Sequence, residues 1–222
     1  MEIYKHDRIF INSMPKSGTH LLSKSIELLG FHNFSSRKTI FQKIIWHLRL
    51  GHPKEFGYEA VNQNWYRYFK SQILSNSHDT IPLDVTSPIL VPIDIVSRWL
   101  NSVPQKSCIL GHVPWSQNMD DLLKKHGYKH IIIVRDPRDV FISFVKFVSK
   151  PPHSLSKDFQ SLSQEQQMNT TFYGGYMPIS KRNNVGLSKA FQSILAWQNS
   201  SNCLIVKFED LVGIKGGGTQ LK

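Results

Sequence analysis

The sequence predicts a layered α/β fold with a mainly parallel central sheet flanked by helices. Three observations carry this reading: four short runs rich in Ile or Val, apolar residues at helical spacing between them, and turn chemistry that delivers strands directly into helices. The runs are Arg8 to Asn12, Ser107 to Gly111, His130 to Val134 and Cys203 to Lys207. None alternates strictly, as expected of strands buried on both faces of a parallel sheet.

After the first run, Leu21, Leu22, Ile26 and Leu29 fall on one face of a helix that ends near Gly30, where glycine takes a left-handed C′ conformation without penalty. Residues 31 to 106 form a helical insertion with amphipathic patches at Phe41 to Leu50, Trp65 to Leu74 and Ile93 to Leu100, separated by Gly51, Pro53, Pro82, Pro88 and Pro92. An insertion of that size between sheet strands suits an acceptor pocket. After the third run, Val140 to Val148 repeats at helical spacing; Asp136 suits the N-cap, Pro137 the first turn, and Pro151 with Pro152 the stop. A further helix from about Gly186 to Asn199 leads into the last run.

At 222 residues, with 40% hydrophobic and 11% aromatic content, one folded domain over 1–222 is expected. The formal charge of +11 suits nucleic acid, an anionic membrane surface or a small polyanion. The basic residues are scattered rather than run together, which disfavours nucleic acid. Cys108 and Cys203 lie in apolar segments, so neither a disulfide framework nor a metal site is expected. No signal-peptide core and no run of about 18 apolar residues is present, so a cytoplasmic protein without a membrane span is expected.

Two segments carry chemistry. The first is the turn Pro15-Lys16-Ser17-Gly18-Thr19-His20, between the first strand and its helix. Unpaired backbone N–H groups and the helix dipole make that place an anion site; Gly18 allows close approach, while Lys16, Ser17 and Thr19 add charge and hydroxyls. It is not a Walker A loop, because Lys16 precedes the only glycine, and this order disfavours a P-loop phosphotransferase. The second is Arg135-Asp136-Pro137-Arg138-Asp139, with Ser143 two helical turns beyond Arg135. An arginine at the C-terminal end of a parallel strand is placed to grip a phosphate with a forked pair of hydrogen bonds. Its alternative is a structural partner of Asp136 or Asp139, a role that fits Arg138 better.

Together these segments resemble the sulfotransferase family, whose cofactor loop has the form PKSGTT and whose 3′-phosphate motif has the form R(N/D)P(K/R)DxxxS. His20 replaces the second threonine; Arg135, Pro137, Arg138, Asp139 and Ser143 match at their proper spacing, and Phe208 to Leu211 is similar to the family's YEDL element. The resemblance implies a P-loop-like sulfotransferase fold using 3′-phosphoadenylyl sulfate, with 3′,5′-adenosine bisphosphate as product and no metal. It further implies that Lys16, Ser17, Gly18, Thr19 and His20 hold the sulfuryl and 5′-phosphate end, and Arg135 and Ser143 the 3′-phosphate. His112, in a strand-end HxP context, becomes the general base and Lys16 the second catalytic group.

The acceptor is expected to be a small molecule or glycan bearing a hydroxyl or amine. Trp46, Trp65, Tyr66, Tyr68, Trp99 and Trp115 could line its pocket, though core is the commoner fate of large aromatics. Two features depart from the pattern: Leu110 stands where many members carry lysine, and the family's C-terminal RKGxxGDW segment has no counterpart before Lys222. The second departure implies a truncated domain, with a non-catalytic 3′,5′-bisphosphonucleotide-binding domain as the alternative function.

Overall fold

The computed structural model describes residues 8–34, 55–56 and 78–214. Its centre is a sheet in which strand β1 (Arg8–Ser13) lies between β6 (Ser107–Gly111) and β7 (Tyr128–Val134). Strand β10 (Cys203–Lys207) extends the sheet beyond β7, while the short strands β2 (His32–Asn33) and β3 (Glu55–Phe56) both pair with β6. Every pairing in this sheet is parallel. The four predicted runs are therefore strands, with β1 one residue longer and β7 two residues earlier than the apolar pattern alone indicates.

Side chains alternate across the sheet, and each face has its own helices. Ile9, Ile11, Cys108, Leu110 and Ile133 pack with Leu22 and Ile26 of helix α1 (Thr19–Leu28). Phe10, Ile109 and Ile132 point the other way, into the larger core. That core also takes residues of α2 (Ile93–Ser102), α3 (Gln117–Lys125), α4 (Pro137–Val148) and α7 (Leu187–Leu195). The expectation that all four strands are buried on both faces fails for β10. It is an edge strand, and Leu204 and Ile205 are exposed.

The interval 31–106, expected to be helical, contributes β2 and β3 to the sheet and a hairpin of β4 (Thr80–Leu83) with β5 (Ile89–Pro92). The patch at Ile93 to Leu100 falls in α2, but those at Phe41 to Leu50 and Trp65 to Leu74 lie outside the described residues, as do Trp46, Trp65, Tyr66 and Tyr68. Trp99 and Trp115 are partly buried against the main core. Beyond α4 come α5 (Ser156–Gln160), α6 (Gln164–Tyr173), the hairpin β8 (Gly175–Met177) with β9 (Arg182–Asn184), and, after β10, α8 (Phe208–Val212). No helix among the described residues is long and apolar enough to cross a membrane.

His130 sits in the core between Phe10 and Trp197, ring centroids 5.2 and 4.2 Å away, and neither ring nitrogen has a hydrogen-bond partner. Burial pushes its pKa from 6.5 down to about 3, opposed in part by the charge of Asp120. Between those values the unfolded chain binds a proton that the folded chain refuses, so stability falls as pH drops below 6.5. Moving from about pH 7.5 to about pH 5.5 should cost ~1.4 kcal/mol through this residue. Denaturant unfolding of His130→Phe at both pH values should show an acid loss smaller by that amount; an unchanged loss would place the effect at other histidines.

Candidate functional site

From β1 the chain moves to β6 on one side and to β7 on the other, so the crevice at the C-terminal end of β1 is the topological switch point of the sheet. Both motifs meet there. One cavity of about 510 Å³ is lined by Lys16, Gly18, Thr19 and His20 from the first, Arg135 and Ser143 from the second, and His112 from the end of β6. Ser17 is buried beneath the turn and does not line the cavity.

The turn is held in a left-handed path, with Lys16 at φ 70° and Gly18 at φ 99°. Gly18 is also crowded from below: a Cβ there would collide with the ring of Phe208. The N-terminus of α1 has no side-chain cap and no acidic residue in its first turn. Its backbone donors and dipole thus face the cavity uncompensated. Helix α4 is the opposite case. The Asp136 carboxylate accepts the Arg138 N–H at 2.8 Å, and Glu209 Oε1 accepts the Asp136 N–H at 2.9 Å, with Asp139 also in the first turn. An anion entering between the two helices is drawn to the α1 end.

Two buried polar atoms beside the turn have no hydrogen-bond partner, Ser17 Oγ and Arg135 Nε. Buried donors of this kind normally find partners. The remaining guanidinium donors are lightly engaged, Nη2 with Asp139 Oδ2 at 3.2 Å and Nη1 with the Lys16 carbonyl at 3.5 Å, while the guanidinium stacks 4.5 Å from the centre of the Phe208 ring. The structural role expected to fit Arg138 better is seen there, where Arg138 chelates Asp136 and holds that carboxyl down at about 2, and the alternative weighed for Arg135 is seen as well, in its bond to Asp139. The Arg135–Asp139 pair is solvent-accessible, so a doubly charged phosphate can displace it at little cost.

His112 is fixed by backbone. The Asn12 amide bonds Val113 in both directions, Nδ2 to the carbonyl and the Val113 N–H to Oδ1, each at 2.9 Å. His112 Nδ1 lies 2.8 Å from the Ser13 carbonyl. A carbonyl only accepts, so Nδ1 carries the proton and Nε2 the lone pair. Ser13 Oγ in turn bonds Thr19 Oγ1 at 2.6 Å, tying this histidine to the first turn of α1.

Sequence reasoning missed Asn12, Ser13, Phe208 and Glu209 as parts of the site, and it gave His153 no role. Only the similarity of Phe208 to Leu211 to YEDL hinted at the third and fourth. His153 and Asp84 line the same cavity with Thr86, Ser87 and Ser154. Burial lowers the His153 pKa, and the nearby charge of Asp84 raises it in part. Lys16 Nζ rests 4.7 Å from the centre of the Phe147 ring, whose edge meets His153. Among the described residues no group of three or more His, Cys, Asp or Glu is placed to hold a metal ion.

The fold and site define an α/β protein with an uncapped helix and an arginine flanking the switch point of a parallel sheet. The chain belongs to the sulfotransferase domain family, whose model matches residues 6–213. Similar solved structures include mouse sulfotransferase SULT7A1 complexed with PAP, at 18% identity and a TM-score of 0.48, covering 99% of this chain and 61% of that one. They also include retinol dehydratase, solved with androsterone and inactive cofactor PAP (16% identity, TM-score 0.43, 97% of this chain and 60% of that one) and with retinol and PAP (16%, 0.43, 97% and 61%). This chain spans about three-fifths of their length. No curated protein matches it.

Gly18→Ala should cost about 2 kcal/mol of stability, because a left-handed residue with a Cβ is strained by about 1–2 kcal/mol and the Phe208 ring must also move. In a Phe208→Ala background the same change should cost about 1 kcal/mol, only the backbone share. Equal costs in both backgrounds, measured by denaturant unfolding, would show that the ring does not press on the turn.

Proposed function

We propose that this chain transfers a sulfuryl group from 3′-phosphoadenylyl sulfate to an acceptor hydroxyl or amine, leaving 3′,5′-adenosine bisphosphate. The single observation that carries the reading is His112: held through Nδ1 by the Ser13 carbonyl, it lines the same cavity as Lys16, Thr19, Arg135 and Ser143. The uncapped N-terminus of α1 and the Arg135 guanidinium, whose Nε has no partner, support a site for two separated phosphates.

When bound, 3′-phosphoadenylyl sulfate supplies an electrophilic sulfur and a phosphate leaving group. The N-terminus of α1, with Gly18, Thr19 and His20, holds the 5′-phosphate end, while the buried Ser17 supports the turn from below; Arg135 and Ser143 hold the 3′-phosphate. His112 Nε2 takes the acceptor's proton as its oxygen or nitrogen attacks, and the Ser13 carbonyl steadies the imidazolium that forms. Lys16 keeps a positive charge beside the leaving oxygen, where negative charge grows as the S–O bond breaks. Elsewhere in the lining, Asp84 Oδ1 accepts the Thr86 N–H and hydroxyl and the Ser87 N–H, a polar turn that with His153 and Ser154 suits a hydroxylated small molecule or glycan. Phe144, Phe147 and Leu155 supply the apolar part of the same lining.

His112→Ala should leave nucleotide affinity nearly unchanged and lower turnover by about 10²–10⁴. Lys16→Ala should reduce both, since its charge meets the nucleotide in ground and transition states. Full turnover in His112→Ala would move the base elsewhere. Tight binding of 3′,5′-adenosine bisphosphate without turnover in the parent chain would instead leave the non-catalytic alternative standing.

Arg135→Ala should weaken 3′,5′-adenosine bisphosphate by roughly 1.5–3 kcal/mol, the scale of hydrogen bonds to charged groups, and 5′-AMP far less. Equal losses in calorimetric titrations of the two nucleotides would take Arg135 off the 3′-phosphate.

A further inference from the structure

Helix α6, ten residues long, contributes almost nothing to the core. Thr171 is its one buried residue. Its large apolar side chains lie on the solvent side: Met168 and Phe172, one turn apart, are 45% and 46% exposed, and Tyr173 is 70% exposed. The surface continues past the helix with Tyr176 on β8 and Ile179 in the β8–β9 turn, 60% and 54% exposed. Rings join part of it, since Phe172 meets Tyr173 at 4.8 Å and Phe141 at 6.3 Å between centroids.

This is a built surface and not a loose loop. Ser163 and Gln166 close a capping box at the start of α6. At its end, the backbones of Gly174 and Gly186 approach so closely that neither position has room for a Cβ. The buried Asp158 carboxylate accepts the N–H groups of Ile179 and Ser180 at 2.7 and 3.0 Å. Arg182 reaches Ser154, on the rim of the cavity, at 3.4 Å. The fold thus spends several fixed contacts on presenting exposed tyrosines and aliphatic groups, which a surface without a partner does not require.

Charge identifies the kind of partner. Residues 142–189 contain six basic side chains, Lys146, Lys150, Lys157, Lys181, Arg182 and Lys189, against two acidic ones, Asp158 and Glu165. Asp158 is buried and committed to the hairpin, so Glu165 alone offsets the cations. Tyrosine rings seat at the level of lipid headgroups with their hydroxyls in water, and lysines beside them are drawn to an anionic leaflet. We propose that α6 and the β8–β9 hairpin form a docking surface for an anionic lipid bilayer, set beside the mouth of the cavity. The proposal stands on this surface alone and does not depend on the reaction assigned to the cavity.

Sedimentation of the full chain with vesicles tests it, using phosphatidylcholine alone and phosphatidylcholine with one-third phosphatidylglycerol. The parent should bind the mixed vesicles, bind pure phosphatidylcholine much less, and release in high salt. Tyr173→Ser with Tyr176→Ser should weaken binding to the mixed vesicles by roughly tenfold or more, because two exposed rings lose their apolar seat. Lys181→Glu with Lys189→Glu should weaken it comparably and provides a second pair should the tyrosine variant prove unstable. Both variants should keep the parent's melting temperature. No preference for anionic vesicles, or undiminished binding by either folded variant, would overturn the proposal; the second result would assign binding to the diffuse positive charge of the whole chain.

Discussion

The parallel pairing of β1 with β6 on one side and β7 on the other sets Asn12 level with Gly111, and Ser13 level with Ile133. Three chain segments then leave the sheet at the same height, carrying the Lys16–Thr19 turn, His112 and Arg135. A one-residue slip of β6 against β1 would turn the β6 side chains to the opposite face and separate the Ser13 carbonyl from His112 Nδ1, and the same slip of β7 would displace Arg135. The alternation of Ile9, Ile11 and Leu110 against Phe10 and Ile109 forbids that slip, because each set has its own helices to pack against. The chemistry of the cavity therefore rests on hydrophobic patterning several residues below it.

Local electrostatics then decides which helix end receives an anion. Helices α1 and α4 both begin at the crevice, but α4 enters with Asp136, Asp139 and Glu209 around its first turn, while α1 enters with neither cap nor acid. Leaving α1 uncapped, and burying Ser17 Oγ and Arg135 Nε without partners, costs the fold stability. Phe208 connects the two halves: its ring lies under Gly18 and against the Arg135 guanidinium, so displacement of α8 would disturb both halves together.

The sheet was legible in the sequence because its strands are short apolar runs bounded by turn residues, and both helix entries are marked, by Gly18 for α1 and by Asp136 with Pro137 for α4. The edge position of β10 was not legible: Cys203 to Val206 is as apolar as the interior strands, and order in a sheet is a tertiary property. Lys16, Gly18, Thr19, His20, His112, Arg135 and Ser143 stood out through their motifs and line the cavity, while Ser17, which stood out with them, does not. Asn12 and Ser13 were not, since their roles are backbone contacts to Val113 and His112, about a hundred positions away and invisible to local pattern. His153 followed a double proline and carried no signal of its own; only folding brings it to the cavity, against the Phe147 ring that Lys16 also meets.

The central claim is that this crevice is shaped for a nucleotide phosphorylated at both its 3′ and 5′ positions. Calorimetric titration of the parent chain with 3′,5′-adenosine bisphosphate, and separately with ATP and Mg²⁺, tests it most directly. Clearly tighter binding of the bisphosphate is expected, with no dependence on Mg²⁺. Tighter binding of ATP that requires Mg²⁺ would contradict it and return the cavity to phosphotransfer.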